Sequence, residues 1–252
     1  IKLHKILEKE KSFDFIYYKN NFVNSQLFKF ARRNFIISRR FKYIYNIINF
    51  FNLKKLQFPK NGILQNKYSY FNDDKKRFAK HMPFFNFTKE ENEAGYKFLN
   101  KFGIKKKTKF VCLLVRDSAY KKSLNDGINY DYHSFRNVDI KNYRSSILKL
   151  IKKGYWVFRM GSLAQNKINI NSNKVIDYPF LKNKSDFLDV WLMANCFFCI
   201  TSGSGLDMAS ITFGRPIVYT NLIEYIAPFF FFNNDLITFK KIKSLKTNKI
   251  LT

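Results

Sequence analysis

Five short apolar runs recur between residues 109 and 220: KFVCLLV (109–115), YWVFRM (155–160), KVIDY (174–178), CFFCI (196–200) and PIVYT (216–220). The first of them is apolar at every position after its lysine. It cannot alternate a wet face with a dry one, and so reads as a strand buried on both sides, as strands of parallel sheets are. Stretches with helical spacing fill the gaps between the runs. In IKNYRSSILKLIKK, opened by Asp139 and closed by Gly154, the residues Ile140, Tyr143, Ile147, Leu150 and Ile151 fall on one side. SDFLDVWLMAN (185–195) opens with Ser185 as a cap and carries Asp186 and Asp189 in its first turn, while GLDMASITFG is a short helix ending at Gly214. Ahead of them all, TKEENEAGYKFLNKFGI has Thr88 as its N-cap, Glu90, Glu91 and Glu93 at the positive end of the dipole, and Gly103 at its C-terminal cap. Strands alternating with helices at this spacing predict an α/β fold, a Rossmann-type parallel sheet with helices on both faces.

The front of the chain reads differently. Residues 1–88 are aromatic-rich and irregular, and we expect them to form a partial N-terminal domain and linker, ahead of a Rossmann-like domain at 89–225 and a C-terminal tail at 226–252. Ile37, Phe41, Ile44, Ile48 and Phe51 recur at three- and four-residue steps, the mark of an amphipathic helix, and Arg32, Arg33, Arg39, Arg40 and Lys42 crowd its N-terminal side. Such a stripe most often packs against another element; a basic one can also lie on an anionic membrane. Pro59, Asn61-Gly62, Asn72-Asp73 and Pro83 punctuate a long connection around residues 59–88. A complete N-terminal Rossmann domain would begin with a strand and a glycine-rich loop. Residues 1–20 offer neither, and we expect that domain to be truncated.

Charge and cysteine content narrow the functional classes. A net charge of +28 has the sign of a nucleic-acid footprint. However, only ten of the 46 basic residues are arginine, and the chain is also rich in Asn, Ile, Phe and Tyr, all encoded by AT-rich codons. A base bias in the genome produces this balance without selection for polyanions. No basic stripe with interleaved exposed aromatics stands out, so no specific nucleic-acid partner is expected. A polyanion-binding module stays as one alternative, and attraction to phosphates or an acidic membrane surface as a milder consequence. The three cysteines do not make a disulfide framework. Cys196 and Cys199 form a CxxC, but strand-like Phe and Ile surround them and no second pair or nearby histidine completes a metal site, so they read as buried structural cysteines. The first fifteen residues lack the apolar core of a signal peptide, and the apolar run YIAPFFFF (225–232) is too short to span a bilayer. A cytoplasmic or peripheral protein is expected.

Candidate chemistry gathers at the expected carboxyl ends of the strands, where open α/β sheets bind ligands. Thr201, Ser202, Gly203, Ser204 and Gly205 form a glycine-rich turn between a strand and a helix; its amides would point outward and its hydroxyls would add donors, a pattern that suits phosphate. Asp207 one turn later argues mildly against a bare phosphate unless it points away. Arg116 and Asp117 follow the first strand, His133, Arg136 and Asn137 precede the next helix, and Arg159 with Gly161 ends the second strand. Arginines converging on a strand-end crevice suit a diphosphate, which guanidinium contacts bidentately. Ordinary surface ion pairs are the alternative for Arg116, Asp117 and Arg159. Asp117, or less favourably His133, has the chemistry of a general base.

FVCLLVRDSAY, DYHSFRNVDIKNY, GYWVFRMGS, VIDYPF and SDFLDVWLMANCFFCITSGSGLDMASITFGRPIVYTN resemble, in order, the blocks of a bacterial family of glycosyltransferases associated with surface-polysaccharide gene clusters. NNFVNSQLFKFARR and FTKEENEAGYKFLNKFGI also resemble segments of it, so the resemblance covers most of residues 15–221. It implies a GT-B architecture, with a nucleotide-sugar donor on the C-terminal domain and no obligatory metal or other cofactor. It implies further that a sugar passes to a glycan or lipid-linked acceptor at the inner face of the cytoplasmic membrane. Position by position, it points to Arg116 and Asp117 at the cleft and to His133, Arg136 and Asn137 in the following loop. It also points to Arg159 and Gly161 after the second strand and to Ser202–Gly205 under the diphosphate. Asp117 or His133 would be catalytic. Arg116 and Asp117 also resemble part of the His-x-Arg-x-x-Asp loop of fucosyltransferases, with leucine at the histidine position and altered spacing between arginine and aspartate. A nucleotide-sugar epimerase, or an inactive nucleotide-binding relative on the same fold, is the alternative within this class.

Overall fold

Asn24 starts the first described helix: its Oδ1 accepts the amides of Gln26 and Leu27, both at 3.0 Å, two of the donors that a helix start leaves without intrahelical partners. That helix, α1 (Ser25–Asn34), buries Gln26 and Phe30. It lies in sequence between β1 (Phe15–Ile16) and β2 (Ile36–Ile37), which pair in parallel. A 3-10 turn at Arg39–Phe41 leads into α2 (Lys42–Phe50). The computed structural model describes residues 15–16, 23–53, 80, 82–124, 127–223 and 235–250. The chain divides into a unit of residues 1–82, to which these elements belong, and a second of residues 83–252. Most of residues 1–20, the connection at 54–79 and the whole of the run at 225–232 lie outside the described residues.

The stripe expected to form one packed helix is divided. Ile37 belongs to β2 and Phe41 to the 3-10 turn, and no residue of α2 is buried.

The second unit opens on α3 (Lys89–Asn100), set by a capping box. Thr88 Oγ1 accepts the Glu91 amide at 3.2 Å, and Glu91 Oε2 accepts the Thr88 amide at 2.9 Å. Gly103 follows it at φ +76°, where a side chain would be strained. Next come β3 (Phe110–Leu114), the short α4 (Ala119–Ser123), 3-10 turns at Asp131–Arg136 and Ile140–Tyr143, and α5 (Arg144–Lys152). Strands β4 (Trp156–Arg159) and β5 (Val175–Asp177) precede α6 (Asp186–Asn195), β6 (Cys199–Thr201), α7 (Asp207–Thr212), β7 (Ile217–Leu222) and β8 (Leu236–Phe239). The six strands from β3 onward form one wholly parallel sheet in the order β5-β4-β3-β6-β7-β8. This is a Rossmann-like α/β fold. Its sixth strand comes from the segment read as a C-terminal tail, and the strand expected at 196–200 begins at Cys199.

Alternation along the central strands sends side chains into two cores. Val111 and Leu113 of β3, Val157 of β4 and Ile200 of β6 meet Ile140, Tyr143 and Ile147 on one face. On the other, Phe110 packs edge-on against Phe158 with ring centres 5.3 Å apart, Phe98 of α3 lies 6.5 Å from Phe158, and the Cys112 thiol donates to Leu192 O of α6. All three cysteines are free and buried here, and burial pushes the thiols of Cys112 and Cys199 up. Trp191 is fully buried against α3 and donates to Asn92 Oδ1 at 3.2 Å. Gly95 makes this approach possible, because a Cβ there would sit 2.1 Å from Trp191 Cε2.

Candidate functional site

From β3 the chain adds β4 and then β5 outward in one direction, returns to lay β6 on the other side of β3, and adds β7 and β8 outward the opposite way. Counted within the sheet, the order is 3-2-1-4-5-6, that of dinucleotide-binding Rossmann sheets. The direction reverses between β3 and β6. Crossovers diverge there, and the crevice outside the carboxyl ends of those two strands is the usual ligand site.

Arg116 and the serine–glycine turn meet at this point. The Ser202 amide donates to Leu114 O at 3.1 Å, and the Arg116 amide donates to Ser202 Oγ at 2.8 Å, so the two strand ends are stitched together. Gly203 has φ +81°, and a Cβ on it would lie 3.3 Å from Leu222 Cδ2 and 3.9 Å from Arg136 Nη2. The Arg136 guanidinium therefore reaches over the turn. Arg116, Arg136, Ser202, Gly203, Ser204 and Gly205 all line one pocket of about 340 Å³, floored from the β7 side by Tyr219 and Asn221. Tyr143 pins that floor from below: its hydroxyl lies 2.7 Å from Thr220 Oγ1 and accepts Asn221 Nδ2 at 3.1 Å.

The turn does not offer its amides as expected. Asp207 is 6 % exposed, and its Oδ2 accepts the Ser204 amide at 3.0 Å and the Thr201 hydroxyl at 3.1 Å. Thr201 Oγ1 in turn accepts the Gly203 amide at 3.0 Å. A carboxylate of the protein itself thus occupies the nest expected to hold a phosphate. Thr201, wholly buried, lies behind that carboxylate and does not line the pocket. Burial pushes the Asp207 carboxyl up to about 6, against the pull of the Ser204 amide, the Thr201 hydroxyl, the Met208 amide and Arg136. Ser204-x-x-Asp207 has the spacing of a capping box, and that pattern in the sequence foretells the Ser204–Asp207 bond.

A second pocket of about 260 Å³ adjoins the first, with Arg116 in the walls of both. Lys121, Lys122, His133, Ser134 and Asn137 also line it. The His133 ring lies tilted against Tyr132, with ring centres 4.1 Å apart, and its Nδ1 is buried with no hydrogen-bond partner among the described residues. Lys240, just past β8, holds the loop from below through Phe135 O (2.8 Å) and Asn137 O (3.1 Å).

Arg159 departs from expectation. It is 1 % exposed, and its guanidinium lies 3.3 Å from Asp117 Oδ2 and 3.4 Å from Asp177 Oδ1 and donates to Asn166 O. Asp117 also accepts the Ala119 amide at 2.9 Å and the Gln165 amide at 3.0 Å. β4 lies on the side of β3 away from the reversal, so its end brings Arg159 to Asp117 and Asp177 rather than to Arg136. Arg159 and Asp117 border a third hollow of about 190 Å³, which shares Asn137 with the second pocket. Gly161, at φ +132°, lies near Leu163 O and Pro179 and lines neither of the pockets at Arg116.

The structure thus sorts the sequence-derived residues into three neighbouring places: Arg116, Arg136 and the turn; His133 and Asn137; Asp117 and Arg159. Residues absent from the sequence-derived set include Tyr219, Asn221, Lys121, Lys122 and Asp177. None belongs to a motif; topology and loop closure bring them in. Among the described residues, no group of three or more His, Cys, Asp or Glu is arranged to hold a metal ion. No family model, curated protein or solved structure matches this chain.

Proposed function

We propose that the protein transfers a glycosyl group from a nucleoside-diphosphate-sugar donor to a glycan or lipid-linked acceptor. The observation that carries this reading is the pair Arg116 and Arg136 beside the Ser202–Gly205 turn, in one pocket at the reversal of the sheet. Two guanidinium groups match a diphosphate in charge and fork geometry. Because Asp207 fills the turn, the arginines carry the recognition of the diphosphate. The adjoining pocket, which shares Arg116, gives a second substrate room next to the first, as group transfer between two bound molecules requires.

In this scheme the His133 imidazole takes the proton of an acceptor hydroxyl as its oxygen bonds to the anomeric carbon. The bond from that carbon to the diphosphate oxygen breaks, and the nucleoside diphosphate leaves with the electron pair. Arg116 and Arg136 meet the charge that develops on it, a preorganised electrostatic contribution. His133 suits the base role better than Asp117, whose carboxylate is held by Arg159 and two amides. Calorimetric titration with nucleoside diphosphates tests the donor site: saturable binding is expected, weakened at least tenfold in Arg136→Ala. Absence of binding overturns the proposal. Conversion of the donor sugar with no acceptor present would point to epimerase chemistry instead.

A further inference from the structure

Helix α2 exposes what amphipathic helices usually hide. At about 100° per residue, Tyr43, Ile44, Ile47, Phe50 and the following Phe51 share one face. All five are exposed, from 43 % for Ile44 to 84 % for Phe50. Phe50 and Phe51 pack edge-on against each other with ring centres 5.1 Å apart. Single apolar side chains in water are ordinary; five side by side on one helix mark an interaction surface.

Within the described stretch that carries this face, the charged side chains are of one sign. Residues 23–53 contain six cationic side chains, Lys29, Arg32, Arg33, Arg39, Arg40 and Lys42, and no aspartate or glutamate. All six are exposed, and Arg39, Arg40 and Lys42 lie at the start of α2. The partner must therefore be negatively charged and also have an apolar layer deep enough for phenylalanine rings. A nucleic-acid backbone supplies the charge without the apolar layer. A second copy of the chain would set one cationic segment against another. An anionic lipid surface supplies both.

We propose that α2 docks this segment on a membrane surface rich in anionic lipid. Its apolar face enters the boundary between headgroups and acyl chains, and the arginines and lysines meet lipid phosphates. The segment lies in the plane of the surface, since no described helix is long and apolar enough to cross a membrane. This docking holds or fails whatever the pockets at the strand ends bind.

The test is co-sedimentation of the full chain with vesicles of phosphatidylcholine alone and of phosphatidylcholine mixed with phosphatidylglycerol. Binding to the mixed vesicles only is expected. Ile47→Ser with Phe50→Ser, and separately Arg39→Gln with Arg40→Gln, should each weaken partitioning by at least about tenfold. The replaced side chains are exposed, so circular dichroism and Tm should be unchanged. Failure to bind the mixed vesicles overturns the proposal, as does equal binding to both vesicle types or binding indifferent to the Ile47 and Phe50 substitutions. Two other results would assign the surface elsewhere and overturn it equally. One is a change of oligomeric state in light scattering on substituting Ile47 and Phe50. The other is duplex DNA binding, without vesicle binding, that depends on Arg39 and Arg40 alone.

Discussion

The Arg116 amide donates to Ser202 Oγ at 2.8 Å, joining the ends of β3 and β6 where the sheet reverses direction. Arg116 therefore has two parts to play: its amide closes the fold, and the residue lines the two adjoining pockets. Ser202→Ala leaves a part-buried amide without its acceptor, and should lower unfolding free energy by about 1–2 kcal/mol in urea titrations. Arg116→Ala keeps that bond. It should leave the urea midpoint nearly unchanged and weaken nucleoside diphosphate binding about 10- to 100-fold, the loss of a charge-assisted contact. Equal stability losses in both variants would mean that the side chain is structural.

Arg159 gives the opposite expectation. With its side chain 1 % exposed between Asp117 and Asp177, its removal strands two carboxylates in a poorly solvated place. Arg159→Met should cost about 3 kcal/mol or more, read from urea or thermal unfolding. Adding Asp117→Asn should recover part of that loss, because the two effects share one interaction. If Arg159→Met instead unfolds like wild type and loses only nucleotide affinity, Arg159 belongs to the ligand site.

His133→Gln separates chemistry from binding. An imidazole serving as general base contributes about 10²- to 10⁴-fold to rate. The variant should lose kcat in that range in a transfer assay while nucleoside diphosphate affinity stays within twofold or so, because His133 does not line the Arg136 pocket. Retention of full kcat would remove His133 from the mechanism.

How far the sequence reaches depends on whether the determinant is local. The capping box at Thr88 and Glu91, the buried strand at Phe110–Leu114 and the positive-φ glycines at 103, 154 and 214 rest on neighbours in the chain, and residue types alone announce them. The gathering of Arg116 and Ser202 at one edge follows from the parallel sheet, which the alternation of runs already implies. Arg159 could not be placed that way. Strand-end position says that it lies at the right edge, but not that β4 turns it toward Asp177 of β5, eighteen residues on. The α2 stripe fails for a related reason. Periodicity identifies an apolar face but says nothing about what covers it.

Asp207 links the turn to pH. Burial raises its carboxyl from the ordinary value of 3.8 to about 6, so between those values the native protein holds a proton that the unfolded chain has released. Stability supplied by this group is complete below pH 4 or so, falls as pH rises through about 6, and is gone above that. The shift is worth about 3 kcal/mol. Asp207→Asn removes the titration while its Oδ1 can still accept from Ser204 and Thr201. The difference in unfolding free energy, wild type minus Asp207→Asn, should therefore decline between pH 4 and pH 6 and level off near pH 7. Arg136 is one of the groups holding the value down. Arg136→Ala should move the midpoint of that decline to higher pH. A difference that is flat from pH 4 to pH 7, or one that rises, would mean that the Asp207 carboxylate is not sequestered in the turn.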